Sequence, residues 1–286
     1  MKVDMENSKQ KPNRFRTPAS FFEFLDNQPH PDYVGDPTET PEGFSQTLDW
    51  FPSDTEKTWL INLHEREHLR DVVEHYKKNP IVYRINNFGY RTDYNFKKGD
   101  SVNVFLGCSY TFGVGINFED TWVYKVGSKY DLPIANLGIG GTSINTSYRQ
   151  LMYFKDFFKI QNIFHYQPVY ARFEYFKNRK VHHFIVDSEP EGFDTVFNKE
   201  YVNNIILNDA TVYYNHQVHY DAIMNVAHTI GANYYYIHKA QVVDVARDLG
   251  HYGPITNTLL ADRFIKKAKQ GSDIEVKNQY TKPTLI

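Results

Sequence analysis

Apolar positions recur along this chain in two rhythms, short unbroken runs alternating with longer stretches at helical spacing. The clearest short run is Val102-Asn-Val-Phe-Leu106, rich in β-favouring side chains, which predicts a strand covered on both faces. Gly107 breaks it, and Gly113 and Gly115 allow a further sharp bend. Residues 119–130 then space their apolar positions as a helix does, and 132–136 is a second short strand. A helix over 144–158 carries Leu151, Phe154 and Phe158 on one stripe. The third strand spans 162–176 with an interruption at Pro168. A helix over 217–230 stops at Gly231, a fourth strand covers 233–238, and a last helix over 254–269 has proline in its first turn. This alternation predicts an α/β three-layer sandwich, a central parallel sheet with helices on both faces.

The flanks read differently. Residues 1–45 are polar and dotted with prolines, an arm with one short helical turn over 20–25 that wraps the domain or meets a protein partner. Ser53-Asp-Thr-Glu56 has capping-box spacing and predicts a helix through Trp59, Leu63, Val72 and Tyr76, ending before Pro80. Residues 81–91 are extended, with turn chemistry at 86–89. The predicted division is an N-terminal extension over 1–79, a domain over 80–270 and a tail over 271–286. Within the domain, 177–215 reads as an irregular insertion over the functional edge, the sort of segment that serves as a lid.

Charge and composition narrow the function classes. With 32 basic and 34 acidic residues the net charge is −2, so no nucleic-acid footprint is expected. Cys108 is the single cysteine, which rules out an intramolecular disulfide framework. The first residues lack an apolar leader core and no stretch approaches membrane-span length; the expectation is a soluble cytoplasmic or virion-associated protein with no membrane partner. His64-Glu-Arg-Glu-His68 matches a zinc signature in which Glu65 would be the base. Asp71 and Glu74 stand where its longer form has glycine and a third histidine, and the surroundings are densely charged. The segment therefore reads as a solvated helix face, with no metal and no cofactor expected.

Three polar sites fall beyond the carboxyl ends of predicted strands, where open α/β sheets place their chemistry. They are Phe105-Leu-Gly-Cys-Ser-Tyr-Thr-Phe-Gly113, Asn136-Leu-Gly-Ile-Gly-Gly-Thr142 and Asp248-Leu-Gly-His-Tyr-Gly253. In this order they resemble the blocks of the SGNH (GDSL-type) hydrolase superfamily, and Ile85-Asn-Asn-Phe-Gly-Tyr-Arg91 resembles a lead-in of its bacterial and phage-borne members. The resemblance spans about residues 80–270 and implies a flavodoxin-like sandwich. It is distinct from the α/β-hydrolases, because position 111 is threonine where their nucleophile elbow needs glycine.

The resemblance implies Ser109 as nucleophile, His251 as its general base and Asp248 as the group that orients the imidazole. Oxyanion donors would be the amides of Ser109 and Gly141, while Gly138 gives the turn backbone room and Asn136 supports the substrate side. Cys108 stands where the family has aspartate and is expected to point away from Ser109. The family's Gly-x-Asn-Asp block is missing after the third strand, where Tyr170-Ala-Arg-Phe-Glu-Tyr175 occurs. Arg172 or Asn178 could supply the third donor, and an Arg172–Glu174 ion pair is the competing reading. The implied function is a serine esterase that removes acyl groups from a carbohydrate or another small ester. The alternatives are an O-acyltransferase using the same residues, or a catalytically weak structural or glycan-binding module such as a virion component.

Overall fold

The computed structural model describes residues 46–51, 54–65, 70–170, 172–177, 180–185 and 208–274. The proline-rich arm with its turn at 20–25, residues 186–207 of the predicted insertion, and residues 275–286 of the tail lie outside them. In chain order the first elements are β1 (Gln46–Leu48), α1 (Glu56–Glu65), α2 (Arg70–Lys78), β2 (Tyr83–Ile85), β3 (Ser101–Leu106) and α3 (Ser109–Phe112). A 3-10 turn at Phe118–Asp120 precedes α4 (Trp122–Gly127), β4 (Ile134–Asn136), α5 (Ile144–Phe154) and β5 (Lys159–Tyr166). Then come β6 (Arg172–Lys177), β7 (Lys180–Ile185), α6 (Asp209–Thr229), β8 (Asn233–Ile237) and α7 (Pro254–Gln270).

Four strands form the central sheet in the order β4-β3-β5-β8, every neighbouring pair parallel. Pleating sends Val102, Val104 and Leu106 to one face, where they pack with Leu151 of α5 and Ile223 of α6. Phe105 points to the other, against Trp122 of α4 and Phe264 of α7. Helices therefore cover both faces, and the molecule is an α/β three-layer sandwich. The chain leaves β3 toward β4 on one side and returns to β5 on the other, so the crevice beyond the carboxyl ends of β3 and β5 is the topological switch point.

Two predicted elements divide differently. The third strand stops at Tyr166; after Gln167 and Pro168 the chain restarts as β6, paired antiparallel with β7 in a separate hairpin. Proline cannot donate to a ladder, so the break at Pro168 ends the strand outright. Part of the insertion over 177–215 is thus regular, holding β7 and the first turns of α6. That helix begins at Asp209, capped by the Asn208 side chain, which accepts from the Ala210 amide at 3.0 Å. Its first turns show no apolar stripe because Tyr213 and Tyr214 face solvent.

The N-terminal extension is also built otherwise than its capping box suggests. Ser53 lies outside the described residues, and Thr55 caps α1 by accepting from the Thr58 amide at 3.0 Å. The long predicted helix is described as α1 and α2, with 66–69 outside. β1 pairs antiparallel with β2, and Phe51, Trp59 and Tyr76 share a third core with Phe112, Val114 and Ala246. Among the described residues, no helix is long and apolar enough to cross a membrane.

Two histidines in the sheet and α6 make folding sensitive to acid. His165 is fully buried with Nδ1 2.8 Å from the Tyr234 hydroxyl. Burial pushes its pKa down to about 3, helped by the nearby His216, which burial lowers to about 4. Below the ordinary value of about 6.5 the unfolded chain takes up protons that the folded chain refuses, so stability present above that pH is lost as pH falls. Urea titrations between pH 6.5 and 5 are expected to show a loss for each histidine that steepens toward about 1.4 kcal/mol per pH unit as pH approaches 5. The slope should be shallower in His165→Gln.

Candidate active site

β3 ends against the carboxyl end of β5, and only glycine fits where it turns away. Gly107 has φ +148°, and a Cβ there would lie 2.1 Å from Thr111 Oγ1 and 2.7 Å from the Tyr166 carbonyl oxygen. The Thr111 and Phe112 amides both donate to the Cys108 carbonyl at 2.9 Å, and the Gly113 amide donates to that of Ser109 at 2.9 Å. One helical turn thus starts at Ser109, with Cys108 wholly buried beside it.

The second glycine-rich turn packs directly onto the first. A Cβ on Gly138 would lie 2.5 Å from the Phe112 nitrogen, which is the physical content of the backbone room expected there. Asn136 braces the two turns: Oδ1 accepts from the Gly138 amide at 3.1 Å, while Nδ2 donates to the carbonyls of Arg91 at 3.0 Å and Thr111 at 3.2 Å. Its amide is fully committed, so its part in the site is to hold the backbone. Gly141, at φ +77°, has open space where a side chain would stand.

The Asp248–His251 loop meets these turns from the other side. His251 Nδ1 lies 2.5 Å from Asp248 Oδ2, and Asp248 Oδ1 accepts from the Gly250 and His251 amides at 3.1 Å each. Leu249 between them is in the left-handed region at φ +59°, a strained conformation for a branched side chain. Tyr110, next to Ser109, places its ring 5.3 Å from the His251 imidazole and stacks on Tyr252 at 4.0 Å. The Gly115 carbonyl accepts from the Arg247 amide at 2.9 Å, and a Cβ on Gly115 would come within 3.2 Å of Asp248 Oδ1. The structure therefore packs the Asp248–His251 loop against the turn that bears Ser109. Ser109 is 3% exposed, and its Oγ has no hydrogen-bond partner among the described residues, His251 included.

Four further residues fix this geometry, and three of them carry no chemical signal in the sequence. Arg91 is fully buried and donates to the carbonyls of Gly113 and, at 2.6 Å, Ile116; burial lowers its pKa to about 10. Asp54, which falls between the two ends of the capping-box spacing, receives Arg247 Nε at 3.0 Å and Nη2 at 2.7 Å in a buried ion pair. Tyr83 links the two systems, donating to Asp54 Oδ2 at 2.5 Å and accepting from the Gly115 amide at 2.8 Å. Asp244 caps α7 from outside the helix, accepting from the Ile255 and Thr256 amides at 2.8 and 2.7 Å. Only Arg91 had a clue, as the last residue of the lead-in motif.

The remaining candidates are quickly placed. Glu174 pairs with Arg149 at 2.8 and 2.9 Å and also receives the Thr146 hydroxyl, so the Arg172–Glu174 pair does not form. Arg172 Nε and Nη1 are buried without a partner among the described residues. Asn178 and His68 lie outside those residues, and His64 is exposed. Among the described residues no three His, Cys, Asp or Glu side chains cluster as a metal site would require.

No protein-family model and no curated protein matches this chain. One solved crystal structure matches over 60% of this chain and 98% of its own at 12% identity, with a TM-score of 0.31.

Breaking the buried ion pair leaves a lone charge in the core, so Asp54→Asn is expected to lower unfolding free energy by about 3–5 kcal/mol in urea titration. The double variant Asp54→Leu with Arg247→Met removes both charges and should recover most of that loss.

Proposed function

We propose that this chain is a serine ester hydrolase of the SGNH (GDSL) type. The observation that carries the reading is the 2.5 Å Asp248–His251 hydrogen bond, on a loop packed through Tyr110 and Gly115 against the turn that bears Ser109. Asp248 holds the Nδ1 proton of His251 and leaves Nε2 as the base. Rotation of the unbonded Ser109 hydroxyl toward Nε2 sets up the attack; such catalytic hydrogen bonds often tighten only when substrate binds.

Ser109 Oγ adds to the ester carbonyl as its proton passes to His251 Nε2. The negative charge that develops on the carbonyl oxygen is met by the amides of Ser109 and Gly141. Collapse expels the alcohol, which takes the proton from His251 and leaves an acyl-serine. Water, deprotonated by the same imidazole, then adds to the acyl carbon and releases the carboxylic acid, restoring the serine. No metal or cofactor takes part in this scheme. The substrate class, an acyl group on a carbohydrate or other small ester, follows the family resemblance.

A second reading has its own support. Ser109 Oγ is buried and unbonded among the described residues, as it would be in a binding module that keeps the scaffold without turnover. Fluorophosphonate labelling followed by mass spectrometry separates the two. The esterase reading expects one adduct, on Ser109. It also expects losses in kcat of about 10⁴–10⁶-fold for Ser109→Ala and His251→Gln, and about 10⁴-fold for Asp248→Asn. Folded protein that takes no label, and binds glycans equally well with and without the Ser109 hydroxyl, would establish the module instead.

A further inference from the structure

We propose that Arg172 forms an anion subsite beside Ser109, so that the ester cleaved there carries a negatively charged oxygen group, a carboxylate or a phosphate. The proposal rests on the esterase reading and deepens it by assigning a substrate class.

Arg172 is set apart by how the protein treats its other buried and half-buried arginines. Arg91 grips backbone carbonyls, Arg247 grips Asp54, and Arg149 grips Glu174. Arg172 makes no hydrogen bond or ion pair with any described residue, although its Nε and Nη1 are shielded from solvent. A guanidinium keeps its charge in proteins, and leaving its N–H groups dry and unpaired is costly. An anionic ligand that arrives from outside removes that cost. The fork of N–H groups suits the paired oxygens of a carboxylate or phosphate.

Its position follows from both flanks. On the upstream side, β5 ends at Tyr166, whose ring is 6.3 Å from Tyr110 and whose hydroxyl is 3.0 Å from that of Tyr252. Downstream, Glu174 is fastened to Thr146 and Arg149 in the first turns of α5, directly after the turn containing Gly141. Residues two apart on a strand share a face, so Arg172 and Glu174 lie on the same side of β6. Its charge also acts on the Tyr110 hydroxyl, which burial pushes up to about 12 and Arg172 pulls back down. Tyr110 in turn touches the His251 ring. The guanidinium, unpaired among the described residues, thus lies on the stretch between these two flanks, from which it would meet a charged group on a substrate whose ester is at Ser109.

The test compares three acetate esters in the full chain: phenyl acetate, which is neutral, 4-acetoxybenzoate and 4-acetoxyphenyl phosphate. Wild type is expected to favour an anionic ester by about tenfold or more in kcat/KM, and which one it favours separates carboxylate from phosphate. Arg172→Gln should cost that ester at least about tenfold more than it costs phenyl acetate, chiefly through KM, with Arg172→Lys between them. Equal cleavage of all three by wild type, or an equal loss on all three in kcat, overturns the proposal and leaves the esterase standing. If wild type cleaves none, the esterase reading fails, and calorimetric titration with 4-hydroxybenzoate and phenyl phosphate decides the subsite alone. Binding lost in Arg172→Gln supports it, and absence of binding to wild type overturns it. Circular dichroism confirms that the variants are folded.

Discussion

A guanidinium withdrawn from water must be met by acceptors, and at Arg91 the acceptors are backbone carbonyls. Those of Gly113 and Ile116 belong to the segment that follows Ser109, so a side chain from before the first central strand holds that segment from inside. Arg91 also lies 4.3 Å over the Tyr83 ring, whose hydroxyl receives the Gly115 amide and donates to Asp54. Asp54 in turn binds Arg247, one position before Asp248. A continuous polar chain therefore runs beneath these turns, from the residues after Ser109 to Arg247, next to Asp248. Taking out one member leaves its neighbours buried and unpaired, which is why such networks hold geometry so firmly.

The central sheet supplies the other half of the positioning. Because β3 lies inside a parallel sheet, its carboxyl end is fixed on both sides, by β4 and by β5. The turn containing Ser109 inherits that rigidity, and the interlocked Gly138 and Phe112 backbones pass it to the turn that contains Gly141. The Asp–His loop gains its order differently, from three hydrogen bonds to one carboxylate and from the remote cap that Asp244 places on α7. The groups on which the proposed mechanism depends are thus carried by elements that cannot drift independently.

What the sequence could reveal depended on whether its causes are local. β3, β4, β8, α5 and α7 were readable because each is bounded by glycine, proline or a polar turn and buries a regular apolar face. The three blocks with Ser109, Gly141 and Asp248–His251 were readable because their order and their places at strand ends survive without coordinates. The hairpin of β6 and β7 was hidden, since Arg-Phe-Glu-Tyr-Phe-Lys alternates as a continuing strand would. Asp54 was passed over for a sharper reason: it sits between the two ends of the Ser53–Glu56 capping-box spacing, whereas its partner Arg247 lies 193 positions away. Arg172 and Glu174 looked like natural partners in sequence, yet same-face neighbours on a strand need not pair when a helix offers Arg149.

That separation of 193 positions also bears on synthesis at the ribosome. β3, β4 and β5 emerge and can pair while β8 and the loop at Arg247 are still unmade. Until β8 arrives, the outer flank of β5 presents a row of free backbone groups beside Ile163 and Phe164, a template on which another nascent copy can align. Nor can the floor beneath the serine close before Arg247 reaches Asp54, because closing so long a loop must be repaid by contacts that form only then. Aggregation risk and completion of the buried polar chain are therefore timed by the same late stretch of polypeptide.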